Sequence, residues 1–310
     1  HDQRIPLDCF GEGWGWRRSG TVEAWRQLMK DQANKKVLQI RQTSGQQDWL
    51  RTATQPKVDL VETGHCDLSI GPQLHSCCSW HPPTLWIGVG CERNTSKSLI
   101  HRAISQSINE AGFVIEAIAG LATADRKANE PALLGLCHDY AWPLRTYTAE
   151  QLTVIPVPTP SQAVYKEMGT ASVAEAAALL TAGKSGTLRQ SKRIHHANKY
   201  EQGAVTIAIA ETAVPMAPHR GELHLIGSGP GDPSLISSDA TSALRRCTAW
   251  VGYELYLDLL EPLRRPDQIR FDGQLTKEWD RCSKALELAS QGAKVALISS
   301  GDSGIYGMAG

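Results

Sequence analysis

The chain has 310 residues, of which 41% are hydrophobic and 21% charged, and its 32 basic residues balance its 32 acidic ones. This length suits two or three domains of ordinary size. A zero formal net charge argues against a general nucleic-acid binder, and no apolar run is long enough to span a membrane. We therefore expect a cytoplasmic protein with neither nucleic-acid nor membrane partners.

The eight cysteines are spread along the chain without regular spacing, and no C-x-x-C pair occurs. This pattern favours free thiols over a zinc site or a disulfide framework, so we expect no metal. The first residue is His1 rather than Met, and the last residues, GIYGMAG, are followed by no element on which to pack. From these two ends we expect the chain to be a fragment of a longer protein.

Residues 1–83 are rich in Trp, Gln and Gly, and they predict only one strand, around residues 37–40. From residue 84 the hydrophobic pattern becomes regular. It predicts strands at 85–90, 115–119, 144–147 and 204–211, and helices at 96–112, 131–140 and 173–180. We therefore predict an α/β domain over 84–211, preceded by a less regular α/β region.

Residues 212–221 carry two prolines and no apolar periodicity, which predicts an inter-domain linker. A second alternation of strands and helices follows over 222–310. It predicts strands at 222–226, 249–252 and 294–300, and helices at about 234–246, 256–262 and 277–292. The fold class is thus α/β, with two successive α/β domains whose sheets are mainly parallel.

Two glycine loops follow predicted strands of the second domain: GSGPGDP at 227–233 and GDSGIYG at 301–307. Glycine at every second position lets a ligand approach the backbone closely, whereas the prolines stiffen the loop. The first loop fits neither the dinucleotide fingerprint nor the P-loop. A tight turn without a ligand is the alternative for each loop. Because ligands bind outside the carboxyl ends of strands in open α/β sheets, we expect the two loops to line one site.

The two loops together resemble those of the tetrapyrrole methylases, which bind S-adenosyl-L-methionine. VGYELYLDLL at 251–260 is similar to the branch that carries precorrin-3B C(17)-methyltransferase, and Ser303 stands where Pro is more usual. Tyr253 stands where some relatives have an acidic residue, and it is a candidate catalytic group. The resemblance implies that the cofactor is bound by Gly227, Gly229, Pro230, Gly231, Asp232, Pro233, Gly301, Asp302, Ile305 and Tyr306. It is also compatible with a homodimer formed through this domain.

Three further motifs resemble the C-terminal domain of cobalt-precorrin-5A hydrolase: GVGCERNTS (88–96), ATADRKANEPALLGLC (122–137) and GTASVAEAAAL (169–179). FGEGWGWRRSG (10–20) is similar to the central region of the same enzyme. The resemblance implies a polycarboxylate corrinoid precursor as substrate, with opening of a lactone and release of acetaldehyde. It also implies that the chain combines two enzymes of one pathway.

The hydrolase chemistry requires water activation and stabilisation of an oxyanion. Residues of suitable type follow the predicted strands and are the candidate catalytic groups: Glu92, Asp125, Lys127 and Glu130. We expect Cys91 to be a small buried thiol rather than a nucleophile, because no histidine lies near it in the sequence. For Glu175, in the alanine-rich helix, we expect a structural cap or an ion pair.

Basic side chains are expected around an anionic substrate, and the sequence offers residues 192–199, Arg126 with Lys127, and Arg93 with Lys97. For any one of them a solvated surface position is the alternative.

Two other functions stay open from the sequence. A nicotinamide oxidoreductase is disfavoured by the glycine spacing and by the lack of an acidic residue about 20 positions after the loop. A non-catalytic tetrapyrrole-binding module is the second alternative. We also expect that a chain ending at Gly310 would lack half of the methylase cofactor contacts and would transfer no methyl group.

Overall fold

The computed structural model describes residues 5–51, 57–75, 78–161, 172–301 and 304. The strands in these residues are β1 (Arg17–Ser19), β2 (Leu38–Gln42), β3 (Val58–Leu60), β4 (Leu68–Ile70), β5 (Cys78–His81), β6 (Leu85–Cys91), β7 (Ile118–Ala124), β8 (Leu144–Tyr147), β9 (Thr187–His196), β10 (Ala204–Glu211), β11 (Glu222–Gly227), β12 (Ala249–Tyr253), β13 (Ile269–Gly273) and β14 (Lys294–Ser299). The α-helices are α1 (Val22–Ala33), α2 (Lys97–Glu110), α3 (Pro131–Tyr140), α4 (Ala149–Thr153), α5 (Val173–Ala182), α6 (Ser238–Arg246), α7 (Glu254–Leu260) and α8 (Glu278–Ser290).

The contacts divide the chain into two compact units. Unit 1 takes in the described parts of residues 1–70, 75–82 and 216–310, and unit 2 those of residues 71–74 and 83–215. The boundary at 215/216 falls inside the segment that the sequence predicts as a linker. In that segment the side chains of Thr212, Pro215 and Ala217 are buried. The linker and the four-part domain division stay predictions.

Unit 2 is built on a five-stranded sheet in the order β8-β7-β6-β10-β9. Strands β6, β7 and β8 run parallel, whereas β10 is antiparallel to both of its neighbours. On one face Ile87 and Val89 pack with the apolar side of α2. On the other face a Cβ at Gly88 would overlap the carbonyl oxygen of Ala174, so glycine lets α5 lie directly against β6.

Helix α2 lies within the helix predicted over residues 96–112. Leu99, Ala103, Ile104 and Ile108 are all buried, as their spacing along one helix face predicts. Gly112 ends the helix with a φ of 73°, a left-handed conformation that glycine adopts readily. The hydroxyl of Ser96 precedes the helix but accepts a hydrogen bond from the Gln202 N–H instead of capping it.

Unit 1 contains two sheets. The first has the order β1-β5-β4-β2-β3 and is parallel apart from β1, and the second, β11-β14-β12-β13, is parallel throughout. Buried side chains from both sheets and the segments around them form one apolar core, which includes Trp14, Trp16, Trp49, Trp80, Val251, Val295 and Leu297. The tryptophans of residues 1–83 thus supply much of the packing against the sheet β11-β14-β12-β13, since large aromatic side chains bury the most apolar area per residue.

The α/β class with mostly parallel sheets is confirmed, although several strands differ from prediction. The sequence indicates one strand before residue 84, whereas the structure has five, of three to five residues each. Strands this short show too little alternation to be recognised. Strands β9 and β13 also escaped prediction, and both lie at sheet edges, where polar side chains are favoured.

In the residues that the structure describes, no helix combines the length and apolar character needed to cross a bilayer. Nor do three His, Cys, Asp or Glu side chains of the described ranges converge as a metal site requires.

Candidate functional sites

A cavity of about 520 Å³ lies in unit 2 at the carboxyl ends of β6 and β7. The first residues of α5 and the adjoining ends of β9 and β10 complete its wall. The lining residues are Gly90, Cys91, Glu92, Arg93, Ala124, Lys127, Ser161, Ser172, Val173, Ala174, Lys192, Ile194, Ala204 and Thr206. The carboxyl ends of parallel strands are where α/β folds bind their ligands.

Two of the predicted catalytic residues meet at this cavity. Glu92 directly follows β6 and is exposed, and its backbone N–H donates to the carbonyl oxygen of Ala204 at 3.2 Å. Lys127 ends the 3-10 turn after β7, and only 11% of its side chain is exposed. The cavity therefore has a solvated carboxylate and a largely buried ammonium on its wall.

Glu130, a third predicted residue, lies behind the wall rather than on it, with a side chain only 1% exposed. Its Oε1 accepts a hydrogen bond from the backbone N–H of Asn94 at 2.9 Å. Its Oε2 lies 3.7 Å from Arg93 Nη1 and 3.9 Å from Lys127 Nζ. Asn94 has a φ of 59°, so asparagine here takes the left-handed conformation that glycine usually provides. Glu130 thus holds this turn and both cations in place.

Asp125, the fourth predicted residue, is exposed and is not among the residues that line the cavity. Its carboxylate accepts a hydrogen bond from the backbone N–H of Arg126 at 2.7 Å. The structure therefore brings Glu92 and Lys127 together, with Glu130 behind them, and leaves Asp125 apart.

Cys91 lies on the cavity wall between Gly90 and Glu92. Burial raises the pKa of its thiol to about 11. A thiol with such a pKa is protonated at neutral pH and is a poor nucleophile.

Only some of the predicted basic residues reach the cavity: Arg93, Lys127 and Lys192. Others are engaged elsewhere, because Lys97 pairs with Asp139 at 2.6 Å and Arg193 pairs with Glu110. The described lining residues thus carry three cations and one carboxylate, a balance that favours an anionic ligand. The amino terminus of α5 adds a further positive contribution.

The second candidate site lies in unit 1, where the two glycine loops meet. Strands β11 and β14 are parallel neighbours, and Ser228 N–H donates to the carbonyl oxygen of Ser299 at 2.9 Å. One step further, Gly229 and Gly301 each donate a backbone N–H to the carbonyl oxygen of the other, at 3.2 and 3.1 Å. The structure therefore joins the starts of the two loops.

Gly229, Gly231 and Gly301 have φ values of 68°, 104° and 61°, in the region that side chains disfavour. Among the atoms of the described residues, a Cβ at Gly229 or Gly301 would have no neighbour within 4 Å, and one at Gly231 would meet only Leu259 Cδ1, at 3.8 Å. Gly227, Gly229, Pro230 and Gly301 line a groove of about 950 Å³. The bare backbone thus leaves open space that a ligand could fill, which fits the cofactor implied by the sequence.

Asp232 is exposed, and its carboxylate is engaged by a residue of the turn that follows it. Its Oδ1 accepts hydrogen bonds from the backbone N–H and the hydroxyl of Ser234, at 2.8 and 2.7 Å. The hydroxyl bond is the main cause that lowers the pKa of this carboxyl. Asp232 and Pro233 therefore shape the 3-10 turn that follows the loop.

Of the remaining predicted residues of this domain, only Tyr253 lies in the described part of the chain, and it is not brought to the groove. Tyr253 ends β12 and packs edge-on against the ring of Tyr256, with centroids 5.2 Å apart, and it is not a lining residue. Asp302, Ile305 and Tyr306 lie outside the described residues. The cofactor contacts predicted for those three stay predictions.

Sequence reasoning missed the serines of the unit 2 cavity, Ser161 and Ser172, since isolated serines carry no motif. It also missed that helix α6 forms a wall of the unit 1 groove through Asp239, Ala240 and Arg246.

Comparison with protein families assigns both regions. Residues 85–210 match the family described as Cobalamin synthesis G C-terminus, and residues 222–310 match Tetrapyrrole (Corrin/Porphyrin) Methylases. The two resemblances read from the motifs are confirmed: the chain carries the first of these domains and part of the second.

Two curated relatives and one solved structure are similar to parts of the chain. Cobalt-precorrin-5A hydrolase of Priestia megaterium is 29% identical over 228 residues, 66% of this chain and 58% of that protein. The probable cobalt-factor III C(17)-methyltransferase of Salmonella typhimurium is 44% identical over 88 residues, 28% of this chain and 36% of that protein. The chain therefore spans less than two thirds of either relative. CobE, a protein from the cobalamin (vitamin B12) biosynthetic pathway, is 28% identical with a TM-score of 0.37, over 41% of this chain and 92% of CobE.

Proposed function

We propose that the unit 2 cavity is a hydrolase active site that opens the lactone of cobalt-precorrin-5A and releases acetaldehyde. The proposal rests on the position of Glu92 and Lys127 on the wall of one cavity. The described lining residues of that cavity carry more positive than negative charges. The match of residues 85–210 to the Cobalamin synthesis G C-terminus supports the reaction, and the named hydrolase relative supports the substrate.

Glu92 is the general base. Its carboxylate takes a proton from water, and the water oxygen attacks the carbonyl carbon of the lactone. The ammonium of Lys127 stabilises the oxyanion that forms, and its low exposure strengthens this interaction. The ring C–O bond then breaks, and the leaving oxygen takes a proton, so that a carboxylate and an alcohol result.

Acetaldehyde forms from that alcohol. When the base removes the hydroxyl proton, the C–C bond to the macrocycle breaks and a C=O bond forms on the two-carbon unit. The electron pair of the broken bond stays on the macrocycle. The two-carbon unit leaves as acetaldehyde, and atoms and electrons balance without a further reactant.

The test is acetaldehyde release from cobalt-precorrin-5A by the purified chain, followed through NADH oxidation by alcohol dehydrogenase. We expect Glu92→Gln to lower kcat about 10²- to 10⁴-fold and Lys127→Met to lower it about 10²- to 10³-fold.

Two exposed or half-exposed residues provide matched controls. Glu116 lies before β7, at the opposite end of that strand, and Lys184 lies beyond the carboxyl end of α5. Glu116→Gln and Lys184→Met should leave the rate unchanged. An active Glu92→Gln variant, or a wild-type chain that releases no acetaldehyde, would contradict the proposal.

We further propose that the unit 1 groove forms the part of an S-adenosyl-L-methionine site that this chain contributes to C(17) methylation and ring contraction of precorrin-3B or its cobalt form. The joined, side-chain-free loops at Gly229 and Gly301 favour this second function. When bound, S-adenosyl-L-methionine supplies an electrophilic methyl group. The backbone of residues 227–231 and Gly301 would hold it, because glycine permits the close approach.

Calorimetric titration separates this proposal from a nicotinamide-dependent function. We expect the chain to bind S-adenosylhomocysteine and not NAD. Binding of NAD with no binding of S-adenosylhomocysteine would contradict the assignment.

A further inference from the structure

A set of hydrogen bonds behind the unit 2 cavity links α5, the segment after α4 and strand β9. Glu175, in the first turn of α5, has a side chain with no exposed surface. Its Oε1 accepts from the hydroxyl of Thr159 at 2.7 Å and from the backbone N–H of Lys192 at 3.0 Å. Its Oε2 accepts from the backbone N–H of Thr159 at 3.4 Å. One buried carboxylate thus fixes two segments that meet at the cavity.

Lys192 belongs to this set through its side chain as well, because its ammonium donates a hydrogen bond to the carbonyl oxygen of Thr159. Lys192 also lines the cavity. Its backbone and its charged end are therefore both held, directly or through Thr159, by the carboxylate of Glu175.

The three cations of the cavity differ in what offsets their charge. Arg93 and Lys127 both lie within 4 Å of the Glu130 carboxylate. The ammonium of Lys192 instead bonds to a neutral carbonyl, and in the described part of the chain it forms no ion pair. Because a hydrogen bond to a carboxylate is stronger than one to a neutral acceptor, an anionic ligand group would displace that carbonyl favourably.

The sheet sets how far the backbone of Lys192 lies from the backbone of Glu92. Strand β10 separates β9 from β6, and neighbouring strands lie about 4.8 Å apart. Arg193, the neighbour of Lys192, is level with Val89 through Ile207, so the backbone of Lys192 lies roughly 10 Å across the sheet from the middle of β6, and further than that from Glu92. This separation suits two groups of one large ligand, and not two atoms of one carboxylate.

We propose that Lys192 binds a side-chain carboxylate of the macrocycle, and that Glu175 is the positioning residue that holds the Lys192 ammonium in the cavity. The identity of the substrate rests on the function proposed above. The carboxylate site itself requires only a polycarboxylate corrinoid.

Cobyrinic acid and its heptamethyl ester are the probes, since they share the corrin ring and differ in charge. The experiment measures the affinity of the chain for each probe. The ratio of the two affinities is then compared between the wild-type chain and its variants. The wild-type chain should prefer the acid. Lys192→Met should reduce that preference about ten- to a hundredfold, the range for a hydrogen bond between charged groups. Lys184→Met, beyond the far end of α5, is the matched control and should leave the preference unchanged.

The positioning role of Glu175 is tested by a double-mutant cycle. Glu175→Gln should lower the acid preference in the wild-type background and have no further effect on it in the Lys192→Met background. Thr159→Val, which replaces one hydroxyl by a methyl group on an exposed residue, should act in the same direction if Glu175→Gln fails to fold.

Three results would overturn the proposal: a wild-type chain without preference for the acid, an unchanged preference in Lys192→Met, or equal loss of acid and ester affinity in Glu175→Gln. Turnover separates this proposal from the hydrolase function. With the lactone substrate, Lys192→Met should raise KM and leave kcat near the wild-type value. If the wild-type chain releases no acetaldehyde but Lys192 still sets the acid preference, the hydrolase proposal fails and the carboxylate site stands.

Discussion

Gly229 and Gly301 hydrogen-bond to each other through both backbone N–H groups, at 3.2 and 3.1 Å, although they belong to different loops. The pairing continues from the parallel strands β11 and β14, whose last residues are Gly227 and Ser299. The two loops that the sequence predicts to serve one ligand therefore start side by side, with their backbones hydrogen-bonded to each other.

Gly229→Ala should weaken binding of S-adenosylhomocysteine about tenfold or more. The added methyl group would enter space beside the loop that no described residue occupies, and an L-residue at a φ of 68° costs about 1–2 kcal/mol of strain. Calorimetric titration measures the affinity. Gly64→Ala is the matched control, because Gly64 has a φ of 85° and equally open surroundings. Equal affinity in the two variants would show that the loop does not hold the ligand.

The sequence predicts the central strands β6 and β10 well, because their apolar runs reflect burial on both faces. Both lie within one residue of the predicted bounds. The strand predicted at 115–119 is misplaced, because a 3-10 turn occupies Ile115–Ala117 and β7 runs from Ile118 to Ala124. Among the edge strands it predicts β8 and β11 but misses β9, since β9 reads TLRQSKRIHH and its polar residues resemble a solvated loop.

The sequence also predicts some residues of the unit 2 cavity and misses others. Glu92 and Lys127 could be predicted because each follows a buried strand. The choice between Lys192 and Arg193 could not, because it depends on which face of β9 each residue occupies. A bulge between Gln190 and Arg193 shifts the register there. The inward burial of Glu130 depends on the turn at Asn94, which the motif alone does not specify.

Gly88→Ala should lower the free energy of unfolding of unit 2 by about 1–3 kcal/mol, because its Cβ would overlap the backbone of Ala174 on α5. Gly90→Ala, two residues further along the same strand, should change it by less than about 1 kcal/mol, since the nearest atoms lie at 3.8 Å. Urea denaturation compares the two variants. Similar losses would mean that α5 does not pack against β6 as described.

Cys91→Ala should keep hydrolase activity within about threefold of wild type. With a thiol pKa of about 11, roughly one molecule in a thousand carries the thiolate at pH 8. The acetaldehyde assay provides the measurement, and Cys137→Ala, whose thiol pKa burial also raises to about 11, is the control. A thousandfold loss in Cys91→Ala alone would identify Cys91 as the nucleophile and displace Glu92 from its proposed role.

His195 should make unit 2 less stable in mild acid. Burial lowers its pKa below the ordinary value of 6.5, with the nearby Arg102 acting in the same direction. The unfolded chain then binds the proton more readily, so stability is full above pH 6.5 and falls as the pH drops towards the folded-state pKa.

Urea denaturation at about pH 7.5 and about pH 5.5 measures this loss. His195→Gln should show a smaller difference between the two conditions than the wild-type chain. His196→Gln, an exposed neighbour on the same strand, should behave as wild type. An unchanged pH difference in His195→Gln would exclude His195 as a source of the acid sensitivity.

The central claim, that the unit 2 cavity hydrolyses a lactone with Glu92 as the base, is tested most directly by turnover of cobalt-precorrin-5A in ¹⁸O-labelled water. The mass of the corrinoid product is the readout. We predict that the product gains one ¹⁸O atom in its new carboxylate, that Glu116→Gln does the same, and that Glu92→Gln forms almost no labelled product. An unlabelled product, or labelling by Glu92→Gln at the wild-type rate, would contradict the claim.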